Sequence, residues 1–172
     1  LISWGADSIK VGIGPGNVCT TKNVTGVTVP QFTAIQSCAK AAKEVNTPIT
    51  IVADGGITEI GDIAKALGAG ADFVMCGRLF AVCQETPGPR VNGKKIYRGN
   101  ASRDAMLLMR DEGSLPTPEG ISTMIEETDD TAYTVLRQIK GGLQSAFSYA
   151  NASNLAEFQD KASFGIRMTS MR

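Results

Sequence analysis

Three short apolar runs organise the first half of the chain, each closed by a glycine. Residues 8–13, 49–53 and 73–76 read as strands. The second and third, Ile49-Thr50-Ile51-Val52-Ala53 and Phe73-Val74-Met75-Cys76, are nearly continuous rather than alternating. That pattern predicts parallel strands buried on both faces. Between the runs the period changes to that of a helix. Phe32, Ile35, Cys38, Ala39 and Ala42 share one face of a segment opened by Pro30 and closed by Asn46-Thr47-Pro48. Ile60, Ile63, Ala64 and Leu67 do the same over residues 59–67, with Thr58 as the expected cap. Residues 1–7 read as a helix tail ending at Gly5, and residues 79–84 as a short helix. Strand-helix units, with strands starting about 40 and then about 25 residues apart, predict an α/β layer.

The pattern changes after Glu85. Thr86-Pro87-Gly88-Pro89 breaks the chain, and Asn92-Gly93 between Val91 and residues 94–97 is a hairpin signal. Residues 101–110 look helical, and 111–118, with two prolines, read as a loop or flap. A long helical stripe follows over 130–149 through Ala132, Val135, Leu136, Ile139 and Leu143, interrupted by Gly141-Gly142. Residues 154–161 suggest a short helix, and 164–168 an extended segment.

Composition narrows the function. A chain of 172 residues fits one domain. Its 17 basic and 17 acidic residues argue against a polyanion-binding surface, hence against nucleic acid as partner. No apolar run approaches the roughly 20 residues that span a bilayer, and no leader pattern precedes the first strand. Cys19, Cys38, Cys76 and Cys83 show no metal-ligand spacing, so free thiols and a cytoplasmic setting are expected. The chain has no histidine. Ser-His-Asp and Cys-His catalysis are thereby excluded, and proton transfer falls to Glu, Asp, Lys, Tyr, Arg or a hydroxyl.

The candidate chemistry lies where strands end. Gly12-Ile13-Gly14-Pro15-Gly16-Asn17-Val18-Cys19-Thr20-Thr21 is a glycine-rich path ending at a thiol and two hydroxyls. It reads either as a presented nucleophile or as an ordinary loop holding a small buried cysteine. Asp54-Gly55-Gly56 and Gly77-Arg78 occupy the same position after the second and third strands. Glycines there let backbone N–H groups approach a phosphate, Arg78 offers a forked cation, and Asp54 offers an acceptor for ribose hydroxyls. The glycines of the first loop do not form a dinucleotide fingerprint, because Asn17 stands where its third glycine belongs. Cys38, Cys76, Cys83, Trp4 and the methionines read as packing, and Lys94-Lys95 as a solvated hairpin.

Residues 5–21 closely resemble the catalytic loop of the IMP dehydrogenase and GMP reductase family. Ala53-Asp54-Gly55-Gly56-Ile57, residues 68–75, Tyr97-Arg98-Gly99, Pro118-Glu119-Gly120-Ile121, Gly141-Gly142-Leu143 and Phe164-Gly165-Ile166-Arg167-Met168 are similar to its later motifs, in family order. The resemblance implies a TIM (β/α)8 barrel, of which this chain holds strands six to eight and the flap as the C-terminal part of a larger enzyme. Residues 1–87 would carry these strands with the catalytic and phosphate loops. Residues 88–128 would form hairpin and flap, and 129–172 the terminal helix and tail.

The resemblance also implies roles. Cys19 attacks carbon 2 of the purine. Thr21 and Glu119 relay a proton. Asn17, Asp54, Gly55, Gly56, Gly77, Arg78, Tyr97, Arg98, Gly99, Asn100 and Ala101 hold the nucleotide, GMP or IMP. Gly12, Ile13 and Gly14 face the nicotinamide of NADPH or NAD. Carbonyls of Gly14, Gly16 and Cys19 bind K⁺, and the assembly is a homotetramer.

The family's dehydrogenases carry an Arg-Tyr pair in the flap that activates water. Leu107-Leu108 stands at that position here, and Arg110 precedes Asp111 rather than Tyr. Ser102-Arg103-Asp104-Ala105-Met106 is also closer to the reductase form. The expectation is therefore NADPH-dependent reduction of GMP to IMP. Pro118-Glu119-Gly120-Ile121 keeps IMP dehydrogenation as the alternative, and a non-catalytic nucleotide-binding fragment is a third reading. Asn100 replaces the family's usual Met, and Arg78 the dehydrogenases' usual Ser.

Overall fold

The computed structural model describes residues 1–45 and 48–166. Strands β1 (Ser8–Val11), β2 (Thr50–Asp54) and β3 (Phe73–Met75) form a parallel sheet in that order. Val11 pairs with Ala53, and Asp54 with Met75, so the three strands end together. Helices α2 (Gln31–Lys43) and α3 (Ile60–Gly68) cross over between them on one face. The α/β expectation holds, and its reason is visible in the core. Val11, Ile35, Ile51, Ala53, Ile63, Ala66 and Leu67 are buried between sheet and helices. Each buried Val, Leu or Ile side chain contributes about 2 kcal/mol, and each alanine less.

The opposite face of the sheet is open. Phe73 and Met75 are 62% and 46% exposed, so β3 is not the doubly buried strand its apolar run predicts. Its helix-facing residue, Val74, packs against the core, and its other two side chains meet no second layer among the described residues.

The second sheet is antiparallel: β4 (Arg90–Val91), β5 (Lys94–Arg98) and β6 (Ser122–Ile125). Asn92 and Gly93 both have positive φ, 51° and 77°, as the tight hairpin requires. The sequence reading missed β6. Its four residues carry too little alternation alone, and what makes it a strand is pairing with distant β5, Lys95 against Ile125. Lys95 is not solvated. It is 3% exposed, donates to the carbonyl oxygen of Cys83 and pairs with Glu127 at 2.9 Å. The buried ammonium thus ties the hairpin to the chain after α4 (Arg78–Ala81).

Helix α6 (Ala132–Tyr149) packs on α3 and is uninterrupted at Gly141-Gly142. A Cβ on Gly142 would lie 2.7 Å from Ile60 Cγ2, so this glycine permits a close helix crossing rather than ending the helix. Helix α7 (Leu155–Lys161) returns to the same core, where Phe158 stacks on Phe147 at 4.5 Å between centroids.

Other boundaries shift for local reasons. The first segment is a single 3-10 turn, Ile2–Trp4, closed by Gly5 at φ 83°, and Trp4 is 85% exposed rather than packed. Met109 is likewise exposed. The threonine-rich stretch holds a short helix, α1 (Thr21–Thr25). Glu59, not Thr58, is the N-cap of α3, because the Asp62 carboxylate accepts from the N–H groups of both Thr58 and Glu59. Residues 101–110 supply only one regular turn, α5 (Arg103–Met106). Residues 164–166 form no strand, and Arg167 and Met168 of the expected extended segment lie outside the described residues.

Candidate active site

The ends of β1 and β2 approach so closely that a Cβ on Gly12 would drive into the Asp54 carbonyl. Backbone packing alone therefore requires glycine there, at φ 150°. Gln31, the first residue of α2, binds both strand ends. Its Nε2 donates to the carbonyls of Val11 at 2.8 Å and Asp54 at 3.2 Å.

Beyond this anchor the two glycine loops rest on each other. A Cβ on Gly55 would meet Pro15 Cγ at 2.9 Å. Thr28 donates its hydroxyl to the Ile13 carbonyl at 2.7 Å, and Gly14, at φ 88°, leaves room for that hydroxyl.

The loop then tightens. The Cys19 N–H donates to the Gly16 carbonyl at 3.0 Å. Thr20 caps α1, and Thr21 begins it. This turn sets Cys19 Sγ 3.1 Å from Thr21 Oγ1, with both residues partly buried.

The flap is sewn to the same turn. Thr20 N–H donates to the Glu119 carbonyl at 2.8 Å, and Ile121 N–H to the Val18 carbonyl at 2.9 Å. Glu119 N–H reaches the Ala101 carbonyl at 3.1 Å, and Gly99 N–H that of Ile121. Cβ atoms on Gly99 and Gly120 would each press the Val18 carbonyl at 3.2 Å. Cys19, Thr21, Gly99, Ala101 and Glu119, distant in sequence, thus converge on one patch.

A second group forms beside it. The Tyr97 hydroxyl lies where a Gly77 Cβ would come within 2.7 Å. Burial pushes the Tyr97 phenol up, and the neighbouring Arg78 cation partly offsets this. Asp54 meets Lys10 Nζ at 2.5 Å. Ile13, Asn17, Arg78, Arg98 and Asn100 have exposed side chains; Ile13 takes part through its carbonyl and Arg78 through its charge beside Tyr97, and Asn17, Arg98 and Asn100 take no part in these contacts.

The other thiols are less suited to nucleophilic work. Burial raises the pKa of Cys76 and of Cys83, the latter raised further by Glu85 and Asp130 and lowered by Lys95. Cys83 Sγ also donates to the Leu79 carbonyl. Cys38 packs against the core. Cys19, Cys38 and Cys76 are all partly exposed, and Cys19 stands apart in having a hydroxyl within hydrogen-bond distance.

No cluster of three His, Cys, Asp or Glu side chains exists among the described residues. The carbonyls of Gly14, Gly16 and Cys19 are hard oxygen donors on one loop, and that of Gly16 already accepts from the Cys19 N–H at 3.0 Å.

Two contributors escaped the sequence reading. Lys10 carried a faint signal, a charge inside an apolar strand between Ile9 and Val11. Gln31 carried none beyond its place after Pro30.

Comparison with known proteins gives the family. The family model described as IMP dehydrogenase / GMP reductase domain matches residues 1–171. Inosine-5'-monophosphate dehydrogenase of Aquifex aeolicus is 44% identical over 180 residues, covering 98% of this chain and 36% of that protein. The Bacillus subtilis protein of the same name is 44% identical over 179 residues, again 98% of this chain and 36% of the relative. Among solved structures, a cysteine-to-alanine variant of GMP reductase from Trypanosoma brucei, in complex with guanosine 5'-monophosphate, superposes with a TM-score of 0.88 at 39% identity. It covers 99% of this chain and 36% of that one. The chain therefore spans little more than a third of the length of these relatives. It belongs to the IMP dehydrogenase / GMP reductase family.

Proposed function

We propose that this chain forms the nucleophile-bearing part of a purine-nucleotide oxidoreductase that reduces GMP to IMP. The observation that carries the reading is the Cys19 thiol 3.1 Å from the Thr21 hydroxyl, on a turn hydrogen-bonded to Glu119 of the flap. A thiolate is the strongest nucleophile available to a chain without histidine.

In this reading Cys19 adds to carbon 2 of the purine while Asp54 accepts from the ribose hydroxyls. Gly55, Gly56, Gly77, Arg78 and Tyr97 grip ribose and phosphate, with Asn17 alongside. Arg98, Gly99, Asn100 and Ala101 lie by the base. The carbon–nitrogen bond to the exocyclic amine breaks, and Thr21 and Glu119 pass the proton that lets ammonia leave. Gly12, Ile13 and Gly14 would hold a nicotinamide cofactor, which when bound would supply a hydride to carbon 2, and Cys19 leaves as the thiolate. The balance is GMP plus NADPH plus two protons giving IMP, ammonium and NADP⁺. A potassium ion on the Gly14, Gly16 and Cys19 carbonyls would hold the loop in shape.

The chain length relative to its relatives, and the open face of β1 to β3, support placing it as strands six to eight of a (β/α)8 barrel. Residues 1–87 form the strands and loops, 88–128 the hairpin and flap, and 129–172 the closing helix and tail, within a homotetramer.

IMP dehydrogenation is the second reading. Pro118-Glu119-Gly120-Ile121 and the names of the relatives favour it. Against it, Leu107 and Leu108 stand where the water-activating pair belongs, both exposed, and Arg103 is engaged with Glu112.

Intact-mass measurement of the protein incubated with nucleotide tests the nucleophile. A Cys19 adduct that Cys19→Ser abolishes is expected. Full turnover in Cys19→Ser would overturn the reading.

A further inference from the structure

Lys10 and Asp54 sit on neighbouring parallel strands and on the same face of the sheet. Lys10 pairs across from Val52, so Asp54 lies two residues further along β2. Both point away from the helices. Lys10 Nζ donates to Asp54 Oδ2 at 2.5 Å, and no hydrogen bond reaches Oδ1 among the described residues. The backbone of the same aspartate is fixed from the other side, because its carbonyl accepts from Gln31 Nε2. Asp54 is thus held at both ends, with one carboxylate oxygen committed and one left to accept.

We propose that Lys10 is a positioning residue for nucleotide recognition: it locks the Asp54 carboxylate so that its second oxygen meets the ribose diol. The inference rests on the nucleotide-binding reading above and extends it to a residue outside the strand-end loops.

The physical case is one of geometry rather than stability. A free aspartate rotates about its terminal torsion with little preference. A carboxylate with one oxygen held by an ammonium presents the other oxygen in a fixed direction. The pair itself is half open to solvent, with side chains 55% and 32% exposed. An ion pair in that setting adds little to folding. Loss of Lys10 should therefore show in ligand selection and not in melting.

Equilibrium titrations of GMP and of 2′,3′-dideoxy-GMP against the protein and its variants separate these roles. In the unaltered protein GMP should bind more tightly than the dideoxy analogue. Lys10→Met should weaken GMP about tenfold, the scale of a hydrogen bond to a charged group, and leave the analogue nearly unchanged. Lys10→Arg should restore most of the preference. In an Asp54→Asn background, Lys10→Met should have little further effect. Melting temperature should stay within about 2 °C, as for exposed pairs. Equal weakening of both ligands, or an undiminished preference in Lys10→Met, would overturn the proposal while leaving the nucleotide site intact. Absence of GMP and IMP binding by the unaltered protein would remove the nucleotide reading and this inference together.

Discussion

Chemistry at the residue scale rests on which side chains the loops present and which they bury. Cys19 meets a hydroxyl at 3.1 Å, whereas Cys83 is fully buried and its pKa raised. Glu119 enters the account as the carboxylate end of a proton relay. Glu119→Gln should lower kcat about 100-fold with little change in KM, the usual scale for losing a general acid–base group. Steady-state kinetics with both parameters measured would check this, and a loss confined to KM would contradict it. Asp62 gives a second residue-level prediction. Burial raises its carboxyl, but donors outweigh this: Lys65, the N–H groups of Thr58 and Glu59, and the Thr58 hydroxyl bring it from 3.8 to about 2. A folded pKa below the unfolded one stabilises above the unfolded value and is lost as pH falls through the folded one. The melting-temperature gap between the protein and Asp62→Asn should be full above about pH 4 and close towards pH 2, read by thermal scans across that range. The sequence marked Cys19 and Asp54 because short motifs carry their own chemistry. Lys10 and Gln31 stayed hidden because their partners are carboxylate and carbonyl oxygens 20 to 44 residues away.

At the scale of elements, local signals located most helices and the parallel strands. Apolar period and glycine punctuation depend on neighbours in sequence, so α2, α3 and β2 fell close to their predicted places. Strand β6 and the burial of Lys95 depend on pairing across the second sheet, which no local window contains. The glycine pair of α6 separates the two kinds of information. Gly141 has open space around it, while Gly142 faces the β-branched Ile60. Gly141→Ala should stabilise by about 0.5 to 1 kcal/mol through helix propensity. Gly142→Ala has the same propensity gain but incurs an overpacking cost of about 1 to 3 kcal/mol, so it should destabilise. Chemical denaturation of the two variants side by side would decide it, and equal stabilisation would show that the crossing of α3 and α6 yields freely.

For the whole molecule, the family and the α/β layer were legible because the motifs run in order along nearly all of the chain. The reaction is harder to read, since the proposed role of the Cys19 loop would be the same in both chemistries. The discriminating segment lies in the flap, where Leu107-Leu108 occupies the place of an Arg-Tyr pair and Glu119 is sewn to the nucleophile's turn. A sheet face bearing exposed Phe73 and Met75, in a chain covering 36% of its relatives, fits a part of a barrel better than a complete one. The most direct measurement is a paired spectrophotometric assay: GMP with NADPH in one cell, IMP with NAD⁺ in the other, each with the protein and with Cys19→Ser. The account predicts NADPH oxidation with GMP that Cys19→Ser abolishes, and no NADH from IMP. NADH formation from IMP, or GMP-dependent NADPH oxidation that survives in Cys19→Ser, would contradict it.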